Sequence, residues 1–172
     1  MRTDGTSRRR AVLDQLPGGD DGGPHRRLAL LLGREPRQPY DIVLSDAEGW
    51  PIVIRNGPVL ADGSPMPTRY WLVGRKQCLA VDRLESAGGV AFAEAAVPAD
   101  ELERAHRLYA AERDAAIPTG WAGPRPSGGV GGTRRGVKCL HAHYAWYLVG
   151  GDDPVGRWVA GALGGEADRP QR

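Results

Sequence analysis

Between residues 128 and 151 the chain reads GGVGGTRRGVKCLHAHYAWYLVGG. Cys139, His141 and His143 there are of types that act as nucleophile, proton carrier or metal ligand, and Arg134, Arg135 and Lys138 stand just ahead of them. Three chemistries follow. The first is metal ligation. On a regular helix each residue advances about 100°, so Cys139 and His143 are expected to share a face while His141 points roughly opposite. Three such residues cannot hold one ion from a regular helix, and a two-ligand clip from Cys139 and His143 needs others, since zinc takes four tetrahedral ligands or three plus water. The available ones are His106, Cys78 and nearby carboxylates, none at a CxxC or HExxH spacing, so no metal is assigned. The competing reading is that Cys139 is a small buried hydrophobe and that the histidines are core residues bonded locally.

The second chemistry is a thiolate nucleophile. A cysteine near a helix start, beside Lys138 and close to Arg134 and Arg135, has its thiolate favoured by dipole and charge, with His106 or His143 as base. The third is anion binding. Backbone amides of Gly131 and Gly132, followed by Arg134, Arg135 and Lys138 at the start of a helix, make an anion site for phosphate, polyphosphate or an acidic partner. It is not a nucleotide-binding P-loop, whose GxxxxGK is followed by serine or threonine; here Gly131-Gly-Thr-Arg-Arg-Gly136 runs into Val-Lys-Cys, with no strand clearly before it. The bland alternative is a solvated loop.

The elements that must position these residues read as follows. Residues 1–27 mix arginine, aspartate and glycine without periodicity and predict a disordered tail. Leu28–Leu32 predicts a turn of helix, stopped by Pro36 and Pro39. DIVLSDAEGWPIVIRN, residues 41–56, predicts a hairpin turning on Asp46, Glu48 and Gly49, and TRYWLVG after Pro67 a third strand. Helices are expected near 75–87, 100–115, 137–149 and 154–163, the second opened by a capping box of Asp100 and Glu103, with His106 beside its apolar stripe. Val90–Val97 fits either a short strand or a helical turn. Residues 118–136 form a glycine-rich loop long enough to be functional or disordered, and residues 165–172 a frayed tail.

Composition bounds the rest. A chain of 172 residues suits one domain, here placed at 28–164. Its 25 glycines and 14 prolines stay just below the proportion of disordered chains. The formal charge is +2 and charges alternate in sign, so no basic stripe for nucleic acid is formed. Lys76 and Lys138 are the only lysines. Two cysteines make no disulfide framework. Ser7-Arg8-Arg9-Arg10 has the look of a twin-arginine export signal, but no apolar region follows, and the run at residues 28–33 is too short to span a bilayer. A cytoplasmic protein is expected.

Val137-Lys138-Cys139-Leu140-His141-Ala142, then a glycine turn and Asp153-Pro154-Val155-Gly156, resembles the C-terminal signature of an actinobacterial family, domain of unknown function 501. Gly33-Arg34-Glu35-Pro36-Arg37, Gly49-Trp50-Pro51-Ile52-Val53, Asp62-Gly63-Ser64-Pro65-Met66-Pro67-Thr68 and Tyr70-Trp71-Leu72 are similar to its earlier blocks in the same order, over about residues 28–160. The resemblance implies a gene neighbourhood with a septum-formation initiator and an exopolyphosphatase, hence a link to cell division or polyphosphate; it carries no mechanism. The family pattern has cysteines in the hairpin turn and after the aromatic strand, where this chain has Asp46, Glu48 and Gly74. The resemblance thus falls on Cys139 and His141 and lowers the expectation of a zinc or iron–sulfur centre.

The expected fold is α+β, a small antiparallel sheet of three to four strands over residues 40–73 packed with about four helices behind a flexible N-terminal tail. The expected function is a non-enzymatic cytoplasmic accessory protein whose loop meets an anionic ligand or protein partner through Gly131, Gly132, Arg134, Arg135 and Lys138. The alternative is an enzyme with catalytic candidates Cys139, His141 and His106, or a metal protein drawing on Cys139, His143 and His106. Neither reading assigns a cofactor.

Overall fold

Burial on both faces of the second strand of a three-stranded antiparallel sheet organises the structure, a computed structural model that describes residues 23–36 and 38–164. The strands are β1 (Tyr40–Ser45), β2 (Pro51–Asn56) and β3 (Tyr70–Leu72), in the order β1-β2-β3. Ile42 pairs with Ile54, and Val53 with Leu72. The β1–β2 turn forms as its residues dictate: the Asp46 carboxylate accepts the amides of Glu48 and Trp50, and Gly49 takes a φ of 79°, a conformation that glycine adopts without steric cost. Successive strand residues face opposite sides, so the adjacent Val53 and Ile54, both 0 % exposed, enter two different apolar clusters. The Ile54 side holds Val73 and Leu28, the latter from α1 (Gly23–Leu32). The Val53 side carries the larger core.

That larger core is built by α2 (Arg75–Ser86), α3 (Gly89–Ala96), α4 (Ala99–Ala115), α5 (Leu140–Leu148) and α6 (Pro154–Ala162). α5 is its centre: every residue of LHAHYAWYL except His141 is buried, as expected of a helix that is apolar all round. α6 lies so close to α5 that a Cβ on Gly156 would stand 2.3 Å from Tyr147 Cβ and 2.7 Å from the His143 carbonyl oxygen. Tyr109 of α4 ties the helical layer to the sheet: its hydroxyl accepts the Arg69 amide at 2.6 Å, and burial pushes its pKa up to about 12. On the same side Glu112 accepts from Trp146 Nε1 at 3.1 Å, from Arg69 Nε at 3.3 Å and from the Tyr70 hydroxyl.

The α+β class and the hairpin are as expected. Six α-helices stand among the described residues where about four were expected. Residues 23–27, assigned to the tail, are the first half of α1, while the expected tails at 1–22 and 165–172 lie outside the described residues. The ambiguous Val90–Val97 segment is α3, its alanines deciding for helix. The capping box does not form: α4 begins one residue earlier, behind Pro98, and Asp100 sits inside its first turn, where an acid still complements the helix dipole. The helix expected at 137–149 begins only at Leu140, which changes the geometry around Cys139. No described helix is long and apolar enough to cross a membrane.

Candidate functional site

Two carboxylates from neighbouring helices hold the segment before α5. Glu94 of α3 accepts the Val137 amide at 2.7 Å, and Glu85 of α2 accepts the Leu140 amide at 2.6 Å. Cys139 lies between these amides with φ −161° and ψ 127°, an extended N-cap residue. The helical-wheel expectation therefore fails: Cys139 is not a helical residue, so it has no i,i+4 relation to His143, and its partner is the residue expected to point away. Cys139 Sγ lies 3.6 Å from His141 Nδ1.

Asp82 and Glu85, three apart on α2, share a face toward the same imidazole. His141 Nε2 stands 3.1 Å from Asp82 Oδ1, and Nδ1 3.3 Å from Glu85 Oε1. Burial by itself disfavours a charged histidine, but the hydrogen bond and charge of Cys139, followed by the charges of Glu85 and Asp82, outweigh it and raise the His141 pKa to about 9. With its side chain 23 % exposed, the ring remains open to solvent. Two kinds of chemistry fit the arrangement, a thiolate–imidazolium nucleophile and a mixed sulfur, nitrogen and oxygen ligand set.

His143 belongs elsewhere. Its ring is sealed in the core, with Nδ1 at 3.0 and 2.8 Å from the two oxygens of Asp153, which is 0 % exposed. Asp153 also accepts the Gly156 amide and so caps α6. His143 Nε2 finds no hydrogen-bond partner among the described residues. His106 packs edge-on against this ring at 5.7 Å. Its Nδ1 accepts the Val130 amide at 3.1 Å, which fixes the tautomer in which Nε2–H donates to the Gly136 carbonyl at 3.0 Å. Burial, the larger cause, and the nearby His143 lower the His106 pKa. His106 and His143 are thus core residues bonded locally, and no hydrogen bond or ion pair joins either to Cys139 among the described residues.

The same helix pins the glycine-rich loop at a second point. Arg113, 1 % exposed, donates to the carbonyls of Pro126, Ser127 and Gly128. Gly129 packs so tightly on His106 that a Cβ there would lie 2.4 Å from Nδ1. Beyond the single 3₁₀ turn Val130–Gly132, the exposed Arg134 and Arg135 line a cleft of about 480 Å³ together with Glu94, Ala99, Glu103 and His106. Gly131 and Gly132 are half-buried and do not line the cleft, the Gly132 amide donating to the Gly129 carbonyl, and Lys138 is exposed away from the cleft lining. The expected anion set thus divides, its two arginines on the cleft.

Sequence reasoning missed Asp82, Glu85, Glu94, Arg113 and Asp153. The i,i+3 acidic pair on the expected helix 75–87 is a detectable signal for the first two, and Asp153 just ahead of Pro154 is an N-cap signal. Nothing in the sequence marks Arg113 or Glu94: besides the adjacent Asp114 carboxylate, which pairs with Arg113, their partners are backbone groups 13 to 43 residues away.

Compared with known proteins, residues 43–161 match the model of a family described as a protein of unknown function, DUF501. No curated protein and no solved structure matches the chain.

Proposed function

The chain belongs to the DUF501 family, and from that premise we propose that it is an accessory protein of the cytoplasm, without a reaction of its own, whose Arg134–Arg135 cleft receives an anionic ligand or an acidic partner segment. The observation that carries this reading is a pair of exposed arginines on the cleft, Arg134 and Arg135, with no ion-pair partner among the described residues. Both acids of the lining are engaged: Glu94 by the Val137 amide, and Glu103 by Arg107 at 3.2 Å. The expected neighbourhood of septum formation and polyphosphate makes inorganic polyphosphate the first ligand to try.

The test is the melting temperature of the full chain titrated with phosphate and polyphosphate. An anion at about 100 times its dissociation constant stabilises by about 2.7 kcal/mol, or about 5–10 °C for a chain of this size. The double substitution Arg134→Ala, Arg135→Ala abolishes the shift, and Lys138→Ala retains it. A parent protein that does not shift, or a double variant that still does, refutes the reading.

A second reading, an enzyme with Cys139 as nucleophile and His141 as its proton partner, is favoured by the 3.6 Å contact between Sγ and Nδ1. It requires iodoacetamide to label Cys139 faster than Cys78, whose Sγ–H is turned to the Leu72 carbonyl at 3.3 Å. Equal slow labelling refutes it.

A further inference from the structure

We propose that Cys139, His141 and Glu85 form a binding site for a zinc-class divalent ion, with Asp82 as the group that orients the histidine. This inference is independent of the anion cleft. The ligand atoms Sγ, Nδ1 and a Glu85 carboxylate oxygen all lie within 4.8 Å of one another. Zinc bonds of about 2.3 Å to sulfur and about 2.0–2.2 Å to nitrogen and oxygen, at tetrahedral angles, require ligand separations of about 3.6 Å for sulfur to nitrogen and about 3.4 Å for nitrogen to oxygen. The corresponding distances here are 3.6 Å from Sγ to Nδ1 and 3.3 Å from Nδ1 to Oε1. Two edges of a coordination tetrahedron are therefore preformed.

The surroundings complete the argument. Asp82 takes the other ring nitrogen, Nε2, at 3.1 Å. A carboxylate in that position holds the Nε2 proton, so that a bound ion replaces the proton on Nδ1 and takes the lone pair aimed at Sγ and Oε1, as behind metal-bound histidines generally. Glu85 is held in place by the Leu140 amide at 2.6 Å, and the extended backbone of Cys139 aims Sγ back toward His141. Thiolate and carboxylate together match the charge of a divalent ion. The mixture of sulfur, nitrogen and oxygen donors suits zinc or cobalt and disfavours magnesium and calcium, which select oxygen. Three protein ligands leave the fourth position to water, the pattern of an open rather than a closed zinc site.

The test is titration of the chelator-treated full chain with Co²⁺ and then Zn²⁺. One Co²⁺ per chain is expected, with intense tetrahedral visible absorption and a thiolate-to-cobalt band in the near ultraviolet, both displaced by Zn²⁺. Cys139→Ser removes the thiolate band and Cys78→Ser keeps it. His141→Ala and Glu85→Gln each weaken Co²⁺ binding at least about 10-fold, and Asp82→Asn by about 10- to 100-fold with the band retained. In the unsubstituted chain, Zn²⁺ slows alkylation of Cys139 and leaves that of Cys78 unchanged, a readout that needs no variant to fold. The proposal is overturned by absence of the thiolate band in the parent, by its persistence in Cys139→Ser, by undiminished affinity in His141→Ala, or by failure of Zn²⁺ to protect Cys139.

Discussion

At the residue scale, the four histidines of the chain fall into environments that spacing alone does not separate. His141 and His143, two apart, differ in that one meets solvent beside two carboxylates and a thiol, and the other is sealed against Asp153. The types were legible; the partners were not, because Asp82 and Glu85 arrive from a helix more than 50 residues earlier in the chain. His106 gives a pH prediction. Its folded pKa is lowered, so on acidification the unfolded chain takes up a proton at this position before the native one does, and stability falls as the pH drops through the ordinary histidine value of 6.5. Urea unfolding between pH 8 and 5.5 reads this contribution as the difference between the parent and His106→Gln, which keeps an acceptor and a donor, because the raised pKa of His141 adds a slope of opposite sign to both. The variant is expected to lose less stability on acidification than the parent; an unchanged pH dependence assigns the effect elsewhere.

At the scale of elements, the glycine loop was read from its composition as functional or disordered, whereas α4 holds it from one side. Arg113 acts through geometry, a planar fork reaching three successive carbonyls. Arg113→Ala strips those carbonyls of a charged donor and is expected to cost about 2–4 kcal/mol, with protease cutting between residues 118 and 129 as a second sign. Arg113→Lys recovers only part, and full recovery would show that charge suffices. The helix ahead of Cys139 was misplaced for a related reason. Val137 fits helical periodicity, but Glu94 takes its amide and the helix does not start until Leu140, a tertiary effect that overrides local pattern. Hairpin and sheet were legible because turn residues and strand alternation are local signals.

At the scale of the whole molecule, the sheet has an apolar cluster on each face. The smaller depends on Leu28, 0 % exposed, the buried residue of α1 that covers Ile54. Leu28→Ala is expected to destabilise by about 2–5 kcal/mol, measured by chemical denaturation, and to expose the Ile54 face to dye binding. A loss below about 1 kcal/mol would mean that α1 contributes little to the folded chain. On the opposite face, Gly156→Ala forces a methyl against Tyr147 and is expected to cost about 1–3 kcal/mol. These two substitutions act on different clusters, so their effects should add.

The burial of α5 sets a limit on how the chain can vary. Eight of its nine side chains are committed to packing, and His141 alone faces outward. In a saturation survey of this helix read by the amount of folded protein, position 141 is therefore expected to be the most tolerant, its losses limited to the contacts with Asp82, Glu85 and Cys139. If the same survey, read by growth of cells that depend on the protein, makes that position intolerant, selection there follows from what the imidazole does and owes nothing to how the helix packs.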